Sequence, residues 1–345
     1  MIPIFLAPMA GYTNAPMRLL CSRFGAQRTY TEMANAAGLI HKSGATWQLL
    51  ETLPEEPKPF AHIYGNDPDT FARAAERIAA TERFSGIDIN AGCPVPKITR
   101  SGAGSSLMHE PKRIGAIVAA IRRVCDLPVT VKTRIGFSPS EITVFDVLSE
   151  VENAGGAALT IHGRTKAQGH AGPVAHDIVA EVKRRASIPI YGNGGVRDYS
   201  TATDYVAKTG VDALLVGQAA IGHPWTFSDI RNGITYRITD SRALALPLEE
   251  IRRVLFEHID LELAFVKEIK AKYPDSAPSE SPEEVTAIRF RCDLFRYLSG
   301  LMGAARMRGR MITTKTLDGV RAIVDDCLAC EAERRTRRQE RLSAE

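Results

Sequence analysis

The chain lacks any run long and apolar enough to span a bilayer, so no membrane partner is expected and its apolar residues are expected to build a water-exposed fold. It lacks a cysteine framework. Cys21, Cys93, Cys125, Cys292, Cys327 and Cys330 are scattered, which argues against a secreted disulfide scaffold and for a reducing cytoplasm. No basic leader precedes the apolar N-terminal residues, and Pro3, Pro8 and Pro16 interrupt a signal-type helix, so this segment is expected to belong to the mature fold. An excess of one charge sign is missing too, and a net charge of +4 neither requires nor excludes a nucleic-acid partner. With 44% hydrophobic and 24% charged residues, composition makes no case for disorder. Beyond the strand-helix unit no internal repeat is visible.

What is present is a regular alternation. Short β-rich runs begin at Ile2 (IPIFLA), Arg28 (RTYTEM), Phe60 (FAHIYG), Gly86 (GIDIN), Pro128 (PVTVKT), Ala157 (AALTIHG), Ile188 (IPIYGNGG) and Ala213 (ALLVGQ). Between most of them lie helix-length segments such as DTFARAAERIAA, with apolar positions three and four apart. Alternating strand and helix implies parallel strands with right-handed crossovers, and eight such units fit a closed (β/α)8 TIM barrel better than an open sheet. The class is α/β, with the barrel over residues 1–240. From LPLEEIRRVLFEHID onward the pattern is helical, which predicts a smaller all-helical domain over 245–345. Inside it, YPDSAPSESPEEV reads as a helix-to-helix loop with Ser281 as N-cap before Pro282, and RRTRRQERLSAE as a solvated helix end.

In such a barrel chemistry sits at the C-terminal strand ends, and polar residues gather there. The first strand runs into APMAGYTNAP; the next ones end in Glu32, His62, Asn90 with Cys93, Lys132 with Arg134, His162 with Arg164, GNGG, and Gly217 with Gln218. Glycines after the last two strands let backbone N–H groups approach an anion, which implies a phosphorylated cofactor.

APMAGYTNAPMR, INAGCPVPKI, VTVKTRIGF, IHGRTK, GNGGV and GVDALLVGQAAIGHPW together resemble the tRNA-dihydrouridine synthase family, in order and spacing, over essentially the whole barrel. The resemblance implies an FMN enzyme that reduces the C5=C6 bond of a uridine in tRNA, with NADPH reducing the flavin. Cys93 would be the general acid, protonating C5 after hydride reaches C6, a task that suits a thiol because it is protonated near neutrality yet yields its proton readily. Gly92 and Pro94 would leave its loop free to move over substrate. Lys132 would face flavin N1 and the C2 carbonyl, where reduction builds negative charge. His162 would donate to the flavin ring, and Asn90 would bond the ribityl chain and the uracil edge. Pro8, Met9 and Ala10 would lie against the isoalloxazine. Asn193, Gly194, Gly195, Gly217 and Gln218 would hold the phosphate by N–H donors.

Two residues depart from the family. Glutamine is common where this chain has His62, expected here to bond a flavin carbonyl, and arginine is common where it has Gln218, which predicts weaker FMN retention. For RNA, Lys97, Arg100, Arg164 and Lys166 follow barrel strands. Between Thr286 and Thr316, Arg289, Arg291, Arg296, Arg306, Arg308, Arg310 and Lys315 face the single Asp293, a stripe suited to phosphates and interleaved with Phe290, Phe295 and Tyr297. A stacked uridine must be extruded to reach a barrel mouth, so RNA shape is expected to select the position. Another structured RNA such as ribosomal RNA, a free pyrimidine, or a relative without flavin are the competing substrates and functions. The lone CxxC of Cys327 and Cys330 has no second pair or nearby histidine, so a structural helical pair and no metal site are expected, and the protein is expected to be a monomer.

Overall fold

The computed structural model describes residues 2–236 and 246–344. The domain limits expected at residues 240 and 245 lie outside the described residues. Contacts divide the chain into two compact units, Met1–Ala219 with Trp225–Ile234, and Ala220–Pro224 with Thr235–Glu345.

The first unit contains strands β1 (Ile4–Leu6), β2 (Ala34–Asn35), β3 (Phe60–Tyr64), β4 (Gly86–Ala91), β5 (Val129–Arg134), β6 (Gly136–Ser138), β7 (Glu141–Ile142), β8 (Ala158–His162), β9 (Ile190–Asn193) and β10 (Ala213–Val216). Eight of them form one parallel sheet in the order β1-β10-β9-β8-β5-β4-β3-β2. The order returns to its start, because Leu6 N–H donates to Arg28 O at 2.9 Å and Gln27 N–H to Ile4 O at 3.0 Å, seating the segment before β2 beside β1. This is the (β/α)8 arrangement that the alternation predicts. Strands such as β4 are buried along their whole length, as strands covered on both faces must be.

The second strand is less regular than RTYTEM suggests. Tyr30 pairs with Phe60, but the next rung is broken: His62 N–H donates to Thr31 Oγ1 at 2.9 Å instead of to a carbonyl, and the ladder resumes only at Ala34 opposite Ile63. A hydroxyl intercepting a ladder donor is a local option that Thr offers. The antiparallel β6-β7 hairpin after β5 was not expected. It depends on Gly136, where a Cβ would meet Glu141 O at 2.1 Å.

Some helices of this unit start on side-chain caps. Asn14 caps Ala15–Arg23, Asp67 caps Pro68–Ala79, and Asp198 forms a capping box with Thr201. The second unit carries helices Leu248–Lys272, Pro282–Arg289, Arg291–Tyr297, Ala304–Thr313 and Leu317–Ala344. Ser281 accepts from Glu284 N–H at 3.2 Å, the N-cap its spacing predicts. Phe290 and Tyr297 are buried against His258, whose Nδ1 lies 3.1 Å from Tyr297 Oη. No helix among the described residues is long and apolar enough to cross a membrane.

Candidate active site

The loop after β1 is rigid by its own bonds. Met9 N–H donates to Thr13 Oγ1 at 3.0 Å, Thr13 N–H returns to Met9 O at 3.0 Å, and Gly11 N–H donates to the Glu32 carboxylate at 2.5 Å. Gly11, at φ +79°, turns the chain so that Pro8, Met9 and Ala10 stay at the surface of the mouth. Beneath it, the fully buried Arg18 forks onto Glu56 at 3.0 and 2.7 Å and donates to the carbonyls of Thr13 and Glu51. One guanidinium thus ties the first loop to the segment before β3.

Cys93 sits on the loop after β4, half-buried, and this loop is held, not free. Asn90 Oδ1 accepts the N–H groups of Gly92 (3.1 Å) and Cys93 (2.9 Å), Arg134 Nε donates to Gly92 O at 2.9 Å, and Ser105 N–H donates to Cys93 O at 3.0 Å. These bonds seat the loop flanked by Gly92 and Pro94, because a short side-chain amide can mimic the next turn of backbone. Gly104 completes the seat, since its φ is +60° and a Cβ there would meet Cys93 O at 2.8 Å.

Asn90 is only 8% exposed and spends its whole bonding capacity inside the protein. Its oxygen takes two amides, and its nitrogen donates to Met33 Sδ at 3.1 Å and faces His62 Nε2 at 2.9 Å. The bonds expected from Asn90 to a ribityl chain and to uracil therefore have no spare donor or acceptor in this arrangement. His62 is likewise engaged on both ring nitrogens, with Nδ1 2.6 Å from the buried Asp88 carboxylate, so it is not presented to a flavin carbonyl. His62 lies in the middle of β3, and its ring meets Asp88 and Asn90 in the network below the mouth.

Above this network cations converge. Burial pulls the Lys132 ammonium down to about 8, with Arg134 repelling it further and Asp88 and Cys93 opposing. No hydrogen bond or ion pair holds that ammonium among the described residues. His162, 5% exposed, is pushed down to about 2 by burial and then by Lys132, Arg134, His170 and Arg164, so its ring is neutral. Arg164 Nη1 lies 3.3 Å from His162 Nε2, which makes that nitrogen the acceptor and leaves Nδ1 as the donor. Arg134, lowered to about 10 mainly by burial, spends its donors on the carbonyls of Gly92, Thr165 and Gly169. The His170 ring stands 5.6 Å from that of His162. Asp88 and His170 are not singled out by the sequence, and Arg134 only as a strand-end residue without a role. Arg134 closes VKTR one alternation beyond Lys132, a legible signal, whereas nothing local marks His170.

At the last two strand ends, Gly194 (φ +106°) and Gly195 (φ +78°) turn in the left-handed region, and a Cβ on Gly194 would come within 2.7 Å of His162 Cδ2. Asn193 is buried and donates its amide to Leu215 O at 2.9 Å, pinning β9 to β10. Gly217 is half-buried and Gln218 exposed. A partnerless ammonium, a neutral histidine with a free donor and two side-chain-free turns fit a planar cofactor with an electron-rich edge and a phosphate.

Of the barrel residues expected to meet RNA, Lys97 and Arg100 are exposed, Arg164 also donates to Gly172 O at 2.9 Å, and Lys166 lies over the Phe137 ring at 4.6 Å. In the second unit, Arg289, Arg296 and Arg308 are exposed without an ion pair among the described residues. Arg310 pairs with Asp326 at 2.5 Å, Arg306 contacts Cys330 Sγ at 3.2 Å, and Arg291 turns inward to Thr314 O at 2.7 Å. Phe290 and Tyr297 are core residues and so are not presented for stacking on bases. Cys327 and Cys330 lie one turn apart on the last helix, with Cys327 buried against Met302 O.

The barrel and its cationic mouth fit the class of barrel enzymes that hold a planar, anionic cofactor. Comparison with known proteins narrows it. The sequence model of the dihydrouridine synthase family matches residues 5–273. Similar proteins include tRNA-dihydrouridine synthase B of Pectobacterium carotovorum, 39% identical over 257 residues covering 74% of this chain and 78% of that one. The same-named proteins of Pseudomonas aeruginosa (36% over 268 residues, 77% and 79%) and Escherichia coli K12 (36% over 256 residues, 74% and 78%) are close behind. Among solved structures, an old yellow enzyme homologue from Zymomonas mobilis is similar at a TM-score of 0.45 and 12% identity, over 64% of this chain and 86% of that one. The chain belongs to the dihydrouridine synthase family.

Proposed function

We propose that this protein reduces the C5=C6 bond of uridine in tRNA, with FMN as its flavin and NADPH as electron donor, acting as a cytoplasmic monomer. The observation that carries this reading is the pairing of a fixed thiol, Cys93, with the partnerless ammonium of Lys132 in one barrel mouth. It is supported by the family and by relatives whose names specify tRNA.

A bound flavin would supply hydride to one carbon of the uracil double bond. Cys93 then delivers the proton to the other carbon, and the bonds from Asn90, Arg134 and Ser105 keep its loop from drifting during transfer. Lys132 and the Nδ1–H of His162 would hold the electron-rich edge of the ring. Pro8, Met9 and Ala10 would line its face, and N–H groups of residues 193–195 and 217–218 would receive the phosphate. Asn90 and His62 act through the loop instead of touching the cofactor. The barrel unit is the catalytic, FMN-binding part; the helical unit binds tRNA, with Arg289, Arg296 and Arg308 on phosphates.

The test is mass spectrometry of dihydrouridine in separated tRNA and ribosomal RNA from a host lacking this gene, complemented with wild type or Cys93→Ala. Wild type restores dihydrouridine at a defined tRNA position, and Cys93→Ala lowers the rate by about 10²–10⁴. Restoration only in ribosomal RNA reassigns the substrate, and no restoration in either RNA favours a free pyrimidine.

A further inference from the structure

The network below Cys93 has a proton inventory that only one arrangement satisfies. Backbone N–H groups can only donate, so the Asn90 atom receiving Gly92 and Cys93 is its oxygen, and the atom 2.9 Å from His62 Nε2 is its nitrogen. That nitrogen can only donate. His62 Nε2 must therefore accept, which places the ring proton on Nδ1, 2.6 Å from Asp88 Oδ2. The other Asp88 oxygen receives the Thr130 hydroxyl at 2.5 Å. Asp88 is 0% and His62 2% exposed, so water offers neither an alternative partner.

We propose that His62, oriented by Asp88, is a positioning residue for the proton-donor loop. Its Nδ1–H tautomer locks the Asn90 amide, and Asn90 Oδ1 in turn holds the Gly92 and Cys93 amides that aim the thiol. The opposite tautomer would set two donors face to face. Asn90 would relieve this by turning its amide over, and the loop would lose both bonds at once. An imidazole suits the role because it carries a donor and an acceptor on opposite edges of a rigid ring, spanning from β4's Asp88 to Asn90 two residues further on. The inference rests on Cys93 as the proton donor only for its consequence in catalysis; the linkage itself is tested without RNA.

Full-length protein with ¹⁵N-labelled histidine is measured by NMR, and the His62 ring is assigned by the signals lost in His62→Gln. The expected result is Nδ1 protonated and Nε2 bare. A ring protonated on Nε2, or on both nitrogens, at about pH 7.5 overturns the proposal. Hydrogen exchange then follows the peptide containing Gly92 and Cys93. In His62→Leu its amides exchange about tenfold faster while those of β5 and β8 keep their rates, and His62→Gln, which retains one donor and one acceptor, stays within about threefold of wild type. Unchanged exchange at Gly92 and Cys93, or acceleration of all strands alike, overturns it in favour of simple core packing. Dihydrouridine formation enters neither readout, so a wrong substrate assignment leaves these results standing.

Discussion

At the scale of the residue, burial decides which groups in the mouth are charged. Lys132 is held near 8, so part of the population sheds its proton just above neutrality. An electron-rich flavin edge favours the protonated form, so binding takes up a proton wherever the free protein has lost one. Flavin affinity is therefore full below about pH 7 and falls as pH rises through 8, by at most tenfold per pH unit. Fluorescence titration of FMN between about pH 6.5 and 9 measures this, and Lys132→Met should bind more weakly with no such slope. A flat profile in the wild type would remove Lys132 from the cofactor site. Lys132, Cys93 and His162 were legible as residue types at strand ends. The bonds of His62 to Asp88 and of the Asn90 nitrogen to His62 and Met33 were not, because their two ends lie 26 to 57 residues apart in the chain.

At the scale of the element, the mouth depends on loops that are held by a few buried polar groups. Arg18 makes four bonds with no solvent exposure, two to Glu56 and two to carbonyls of separate loops. Replacing it leaves a buried carboxylate without its partner, which costs about 3–5 kcal/mol. Arg18→Met should lower the unfolding free energy by that amount in urea titration, and Arg18→Met with Glu56→Leu should recover part of it. A loss under about 1 kcal/mol would mean that the pair is not the clamp described. Helix starts at Asn14, Asp67 and Ser281 follow local rules and were within reach of pattern reading. The broken rung at Thr31 and the β6-β7 hairpin were not, since neither has a hydrophobic period of its own.

At the scale of the whole molecule, a net charge of +4 is small, so the proposed tRNA binding is expected to depend on local cations, such as those of the helical unit that have no ion pair among the described residues, more than on the total. Replacing Arg289, Arg296 and Arg308 together by Gln should weaken tRNA binding and reduce the slope of log Kd against log salt by about 1 per residue. Filter binding across a salt series checks this, with Arg291→Gln as a contrast that lowers stability through Thr314 and leaves the slope in place. An unchanged slope in the triple variant would move the RNA contacts elsewhere. The sequence by itself determined the eight-unit alternation, the helical second part and most of the strand-end residues, though not the places of Glu32 and His62, because strand and helix periods and glycine turns are local properties of the chain. Only the tertiary structure decided which polar groups remain free for a ligand. Hydrogen-bond capacity is finite, and whether Asn90, His62 or Arg291 has any left depends on donors and acceptors brought near from distant parts of the chain.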